Sequence, residues 1–270
     1  MPEKDSSVAK NTVALVTGAT GAIGKAIARQ LAAKPGWNVV LVCRNGDKGS
    51  AAVKEIVEST RNANVRLEIV DLSRRASIEA LAARWQGPFH VLINNAGITP
   101  KRRQETPEGI ELQFATNVLG YFWMIKAFQP ILGASAAARI VNVASYWAGD
   151  LDLSDLEFKT RPYRNGEAYR QSKQANRMLT VAFADRLTPL GITVNACHPG
   201  DVSSTLSNNL GFAGHDPPEA AARTPVWLAT DPVGGKVSGK FFEGMRQMPC
   251  AFASDRKSIQ ALYAACEAYE

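Results

Sequence analysis

The stretch "VALVTGATGAIGKAIARQLA", Val13 to Ala32, decides the fold. Apolar β-formers run as far as Thr17, glycines follow at 18, 21 and 24, and Ile23, Ile27 and Leu31 then recur every four residues. That change of period reads as a strand, a tight turn and a helix packing one face on a sheet. Gly18, Gly21 and Gly24 lack side chains where the backbone bends sharply or approaches something closely. Free N–H groups and the positive dipole end at such a helix start favour a phosphate. The spacing G-x-x-G-x-x-G departs from the usual G-x-G-x-x-G fingerprint, and glycines in a βα turn also serve geometry alone. The remaining chain has to separate an anion site from a plain turn.

The same alternation continues. Strand patterns are VALVT (13–17), VVLVC (39–43), VRLEIV (65–70), HVLI (90–93), RIVNVA (139–144), ITVNA (192–196) and a weaker GKFF (239–242). Amphipathic stretches fall between them at 48–60, 77–85, 108–132, 167–187 and 218–229. Continuous apolar strands divided by helices imply an α/β fold, a parallel sheet covered on both faces and doubly wound. With no linker, repeat or low-complexity segment, one domain is expected over 10–270, with residues 1–9 a flexible N-terminus.

Of the 270 residues, 46% are hydrophobic and 21% charged, which allows a large core. The net charge of +6 is scattered, apart from Lys101-Arg102-Arg103, and no aromatic-basic stripe suggests nucleic acid. Cys43, Cys197, Cys250 and Cys266 lie far apart, as do His90, His198 and His215, so neither metal-ligand spacing nor a disulfide framework is present. A reducing, cytoplasmic setting is expected. The opening MPEKDSSVAKN is polar and no apolar run approaches bilayer length, so neither a signal peptide nor a membrane anchor is expected.

Ligands of a doubly wound sheet lie beyond the carboxyl ends of its strands. Small, polar and glycine residues gather there: Gly18-Ala19-Thr20-Gly21, Arg44-Asn45, Asp71-Leu72, Asn94-Asn95-Ala96-Gly97, Ser145 and His198-Pro199-Gly200. A dinucleotide fits, its pyrophosphate on the glycine turn. NAD sites commonly carry an acid about 20 residues after the glycines. Here Cys43 and Arg44 stand at that point, and a guanidinium suits a 2′-phosphate, so NADP(H) is preferred over NAD(H). Arg44 is otherwise an ordinary solvated charge. Asp71 suits an adenine amino group, or simply forms a turn.

In "EAYRQSKQANRML", Tyr169 and Lys173 are i and i+4 on one helical face. A phenol with its usual pKa of about 10 is a poor proton carrier at neutral pH. An adjacent ammonium is expected to lower that value and make Tyr169 a general acid or base towards a carbonyl or alcohol oxygen. Standing alone, the pair would equally describe two surface residues.

TGATGAIG (17–24), NNAG (94–97), Asn117 in FATNVLG, Ser145 ending RIVNVAS, YRQSK (169–173) and HPG (198–200) occur in the order seen in short-chain dehydrogenases/reductases. The resemblance covers nearly the whole chain. VCRN after the second strand, DLSDLEFKTRPY between Ser145 and Tyr169, GITVNACHPG, and TPVWLAT…VSGKFFEG resemble the retinol-dehydrogenase-like branch.

The resemblance implies a Rossmann-type fold and a catalytic tetrad. Tyr169 is the proton donor, Ser145 a hydrogen-bond donor to the substrate oxygen, Lys173 a partner of both Tyr169 and the nicotinamide ribose, and Asn117 the holder of a proton-relay water. The implied cofactor contacts are Gly18, Thr20, Gly21, Ala22, Ile23 and Gly24 at the turn, Arg44 and Asn45, Asp71 and Leu72, and Asn95, Ala96 and Gly97. Tyr169, Lys173, Pro199, Gly200, Val202 and Ser204 complete them. Ser204 stands where threonine is frequent, and Asp201 is an unusual acid in that turn.

Three segments should line the substrate pocket: 146–165, 202–217 and 242–256. Tyr146, Trp147, Leu206, Leu210, Phe212, Met245 and Met248 are its candidate apolar lining. Such a pocket suits a hydrophobic, bulky aromatic ketone or aldehyde reduced reversibly to its alcohol, and the two glycines of NLGFAGHD suit a lid. The alternatives are a nucleotide-binding sensor or scaffold without turnover, and a reductase of an activated C=C bond. A homodimer or homotetramer through the long helices would be in keeping with the resemblance.

Overall fold

The computed structural model describes residues 11–135 and 137–270. The flexible N-terminus expected at 1–9 lies outside the described residues. The strands are β1 (Thr12–Thr17), β2 (Trp37–Cys43), β3 (Val65–Ile69), β4 (Val91–Asn94), β5 (Arg139–Val143), β6 (Thr193–His198), β7 (Phe241–Glu243) and β8 (Arg246–Met248). They form one sheet in the order β3-β2-β1-β4-β5-β6-β7-β8. Neighbours from β3 through β7 are parallel, and β8 returns antiparallel on β7.

Strand alternation divides the core in two. Leu15, Val40, Val42 and Leu92 face one cluster, which takes in the helices Gly120–Gly133 and Asn165–Leu187. Ala14, Val16, Val39, Leu41 and Ile93 face the other, against the helix Ala22–Ala32. Both faces are therefore covered, which is why the strands read as unbroken apolar runs.

The differences from the sequence pattern have local causes. β8 was not expected, because its Arg-Gln-Met side chains are all exposed and show no apolar period. The helix expected from 108 begins at Leu112, since Gly109 at φ +80 forms a turn. Glu111 then caps the first helical turn, accepting from Gln113 N–H at 2.9 Å and Phe114 N–H at 2.6 Å. That helix widens to π geometry over Ala115–Leu119 before continuing. The helix expected over 218–229 divides into Pro218–Ala221 and Arg223–Thr230, because Pro225 has no N–H to offer the carbonyl of Ala221.

Candidate active site

The turn after β1 is built by close approach. Gly18 sits at φ +64, and a Cβ there would lie 2.7 Å from Ala96 Cα. A Cβ on Gly24 would lie 2.3 Å from the carbonyl oxygen of Gly18. Thr17 Oγ1, fully buried, accepts from Asn95 N–H at 2.8 Å and Ala96 N–H at 3.1 Å, and Asn95 Nδ2 returns a bond to Thr17 O at 2.9 Å. The ends of β1 and β4 are thereby locked together. Gly21 caps the following helix with no side-chain bond, and its first turn has no acidic residue. The open N–H groups and positive dipole end thus meet no competing carboxylate of their own, so the turn fits a pyrophosphate.

A groove of about 510 Å³ runs from this turn across the strand ends. Gly18, Thr20, Gly21, Ala22, Ile23, Gly24, Arg44, Asp71, Leu72, Asn95, Ala96, Gly97 and Ser204 line it. Arg44 is exposed and no carboxylate stands beside it at the end of β2. Asn45 is not brought to the groove wall: its Oδ1 accepts from Lys48 N–H at 2.9 Å and caps the next helix. Asp71 Oδ1 is engaged by Ser73 N–H and Oγ at 3.0 and 2.7 Å, which makes it a turn former as well as a wall residue.

Beside the groove, sharing Ile23, Asn95, Ser204 and Leu206 with it, lies a second cavity of about 210 Å³. Ser145 enters from the end of β5, and Tyr169 and Lys173 from the Asn165–Leu187 helix. Pro199, Gly200 and Val202 close it from the loop after β6. Lys173 Nζ donates to Val143 O at 2.9 Å and lies 5.6 Å from the Tyr169 ring centroid. Asn117 lies within the π segment, fully buried, its Oδ1 accepting from Ile98 N–H at 2.9 Å and its Nδ2 donating to Ile98 O at 3.0 Å. It lines neither cavity.

The electrostatics correct one expectation. The Tyr169 phenol is not made acidic here. Burial pushes its pKa up to about 12, against a smaller downward pull from its hydrogen bond with Ser145. Burial also brings Lys173 down to about 8, so it is still an ammonium at neutral pH, but its charge does not outweigh the burial of the phenol. Tyr169 therefore holds its proton at neutral pH, the form a proton donor needs.

Of the apolar lining expected, Tyr146, Trp147, Leu206 and Phe212 reach the cavity, whereas Leu210, Met245 and Met248 do not. His198 and Asp201 also line it. Arg177 was missed. Buried beneath the site, it donates through Nη2 to Ser145 O, and its guanidinium stacks 3.6 Å over the Phe241 ring. A charge on the buried face of an amphipathic helix was the available signal. Thr17 was missed because a strand-terminal Thr reads as an ordinary β-former.

A larger hollow, about 760 Å³, lies at the opposite edge, by the amino ends of β1, β2 and β3. Its charges satisfy one another: Glu68 pairs with Arg66 and Arg84, and Arg66 stacks on Trp85. Among the described residues there is no metal-binding cluster and no helix long and apolar enough to cross a membrane, and all four cysteines are free.

A strand-turn-helix anion cradle joined to a Ser-Tyr-Lys cavity defines an oxidoreductase of the dinucleotide-binding type. The family model described as short chain dehydrogenase matches residues 12–212, and the chain belongs to that family. It falls in the retinol-dehydrogenase-like branch. Human retinol dehydrogenase 13 is 36% identical over 271 residues, covering 93% of this chain and 82% of that protein. A probable oxidoreductase of Streptomyces antibioticus is 35% identical over 251 residues, covering 85% and 84%. Among solved structures, an uncharacterised protein from Mycobacterium paratuberculosis superposes with a TM-score of 0.79 at 29% identity, covering 97% and 94%. A metagenomic short-chain oxidoreductase in complex with NADP gives 0.65 at 27%, covering 86% and 95%.

Proposed function

We propose that this chain is a cytoplasmic NADP(H)-dependent carbonyl reductase that converts hydrophobic, bulky aromatic ketones or aldehydes to alcohols, reversibly. The observation that carries the reading is the meeting of Ser145, Tyr169 and Lys173 in a cavity whose wall is shared with the phosphate-binding groove. NADPH, when bound, supplies the hydride, two electrons and a proton's worth of hydrogen, to the carbonyl carbon. Tyr169 Oη gives its proton to the carbonyl oxygen, so that the π bond of C=O is replaced by a C–H and an O–H bond while the C–O single bond remains. Ser145 Oγ holds that oxygen and stabilises the charge gathering on it. Lys173 Nζ, 5.6 Å from the Tyr169 ring centroid, returns a proton to the phenol, helped by a pKa near neutrality. Arg44, on the groove wall at the end of β2, would hold the 2′-phosphate, and the backbone N–H groups after Gly18 and Gly21 would hold the pyrophosphate. Trp147, Leu206 and Phe212 exclude water from an apolar substrate.

NADPH oxidation, followed with bulky aryl ketones, diketones and aldehydes and repeated with NADH, tests the reading. Alcohol formation with NADPH favoured is the expected result. Tight NADPH binding with no turnover would instead mark a sensor, and a saturated ketone as product would mark a C=C reductase.

A further inference from the structure

The strand end that carries Ser145 is tied at two points to the helix that carries Tyr169. Lys173 Nζ donates to Val143 O at 2.9 Å, and Arg177 Nη2 donates to Ser145 O. The two cations stand one helical turn apart, a rise of about 6 Å, and the two carbonyls two residues apart on extended chain, about 6.6 Å. The spacings match, so one face of the Asn165–Leu187 helix grips alternate carbonyls of the chain leaving β5. Lys173 has a part in the proposed reaction. Arg177 lines neither cavity and has none.

Arg177 is also costly to keep where it is. It is 8% exposed, and no carboxylate among the described residues comes within ion-pair distance of it. Burial holds its pKa below the ordinary guanidinium value, against weaker pulls from Cys250 and Glu243. The rings around it are apolar: Phe241 lies 3.6 Å from the guanidinium and Phe252 5.7 Å. In such surroundings an apolar side chain of similar volume ordinarily serves the fold as well as a buried charge, or better. Stacking on Phe241 offsets part of the cost and fixes the plane of the fork, which aims Nη2 at Ser145 O.

What that bond holds is the pose of Ser145. Ser145 Oγ accepts from Trp147 N–H at 3.1 Å. A hydroxyl has one proton and two acceptor sites, so this bond uses a lone pair and leaves the proton for a substrate oxygen. The turn that follows is lightly held, Tyr146 being 53% exposed. Arg177 fixes the carbonyl at its start, and does so from the helix on which Tyr169 stands about two turns away.

We propose that Arg177 is a positioning residue that clamps Ser145 to the helix of Tyr169 and so fixes the serine hydroxyl against the phenol. The inference rests on the carbonyl-reductase reading and adds to it a residue that acts only through Ser145.

The test compares Arg177→Met and Arg177→Lys, each with Ser145 present and in Ser145→Ala, as full chains with NADPH and an aryl ketone. Arg177→Met should lower kcat about 10²-fold, with KM and NADPH affinity nearly unchanged. Its Trp147 amide should exchange about tenfold faster by NMR, while the β1 amides keep the parent's rates. Arg177→Lys keeps a donor but loses the planar fork, and should lose only about tenfold in kcat. In Ser145→Ala either change should cost less than about twofold more, because the residue through which Arg177 acts is already gone. Equal losses with and without the Ser145 hydroxyl overturn the inference, as does a parental kcat in Arg177→Met or a fall in kcat with Trp147 exchange unchanged. If Arg177→Met does not fold, Arg177→Lys decides, and a parental kcat there leaves Arg177 a structural residue only. No turnover by the unaltered protein would remove the carbonyl-reductase reading, and Trp147 exchange in the variants would still uphold or overturn the clamp.

Discussion

The two cavities that meet at Ile23 and Asn95 are built on opposite plans. The cofactor side is made of backbone and small residues so close that an added carbon at Gly18 or Gly24 would collide with main chain. The substrate side is made of large side chains on loops, with Tyr146 53% and Phe212 38% exposed. Where packing is that tight, a change of one methyl is felt across the sheet. Where side chains stand on loops over a fixed scaffold, they can be exchanged without cost to the fold. Shared chemistry and particular specificity are thus separated within a single domain, and Tyr169 and Lys173 sit on the seam.

The sharpest way to break that division is at the seam itself. Tyr169→Phe removes the proton donor and leaves the ring. Turnover should fall on the order of 10²–10⁴-fold, while NADPH affinity and thermal stability stay close to the parent's. Ketone titrations with fluorescence-detected NADPH binding measure both. Full turnover in this variant would mean that the proton comes from elsewhere.

Lys173 offers the next largest effect, and of the opposite sign. Its pKa falls from an ordinary 10.5 to about 8 because burial penalises the ammonium. Between those values the unfolded chain binds more protons than the folded one, so stability rises with pH through that window. The penalty is fully present below about pH 8 and amounts to about 3 kcal/mol. Lys173→Met should therefore abolish turnover yet stabilise the cofactor-free protein at pH 7. The gain is about 2 kcal/mol after loss of the bond to Val143 O, worth about 1 kcal/mol. Urea denaturation across pH 7 to 10.5 measures it. A variant less stable than the parent at pH 7 would show that Lys173 is held by more than the site needs.

On the cofactor side, Arg44→Ala should weaken NADPH binding about tenfold and leave NADH unaffected, since an exposed guanidinium contributes one charge-assisted contact to a 2′-phosphate. Equal losses for both nucleotides would assign Arg44 to stacking, and no loss for either would remove it from cofactor binding.

What was legible in the sequence follows the same partition. The β1-turn-helix unit and the Tyr169/Lys173 pair are local patterns, an apolar run, glycines three apart and side chains four apart, and the structure places both as their spacing implies. The inner strands were visible because burial on both faces makes runs such as VALVT and VVLVC continuously apolar, whereas β3, VRLEI, lies at the sheet edge and carries Arg66 and Glu68. The direction of the Tyr169 shift was not visible, because it depends on which distant elements bury the ring, and sequence spacing reports only the neighbouring ammonium. The same holds for Asn45, whose side chain the helix start claims before any nucleotide can. Among the apolar lining, Met245 and Met248 lie on the β7-β8 hairpin, and only tertiary packing reveals that this hairpin stands outside the cavity.

The smallest expected effect sharpens the comparison from the loop side. Phe212 touches Trp147 edge-on across 6.0 Å and faces the substrate cavity, with no contact to the glycine turn. An aryl substrate packed on the Phe212 ring would form a further aromatic pair, worth about 0.5–1.5 kcal/mol beyond its buried area. Phe212→Ala should thus lower kcat/KM for a bulky aryl ketone by about threefold to tenfold, chiefly through KM. Folding stability should move by no more than about 0.5 kcal/mol, because the side chain is more than a third exposed. NADPH affinity should hold. A matched loss of NADPH binding would show that the loop after β6 closes over both ligands at once, and that the seam lies further out than the two cavities suggest.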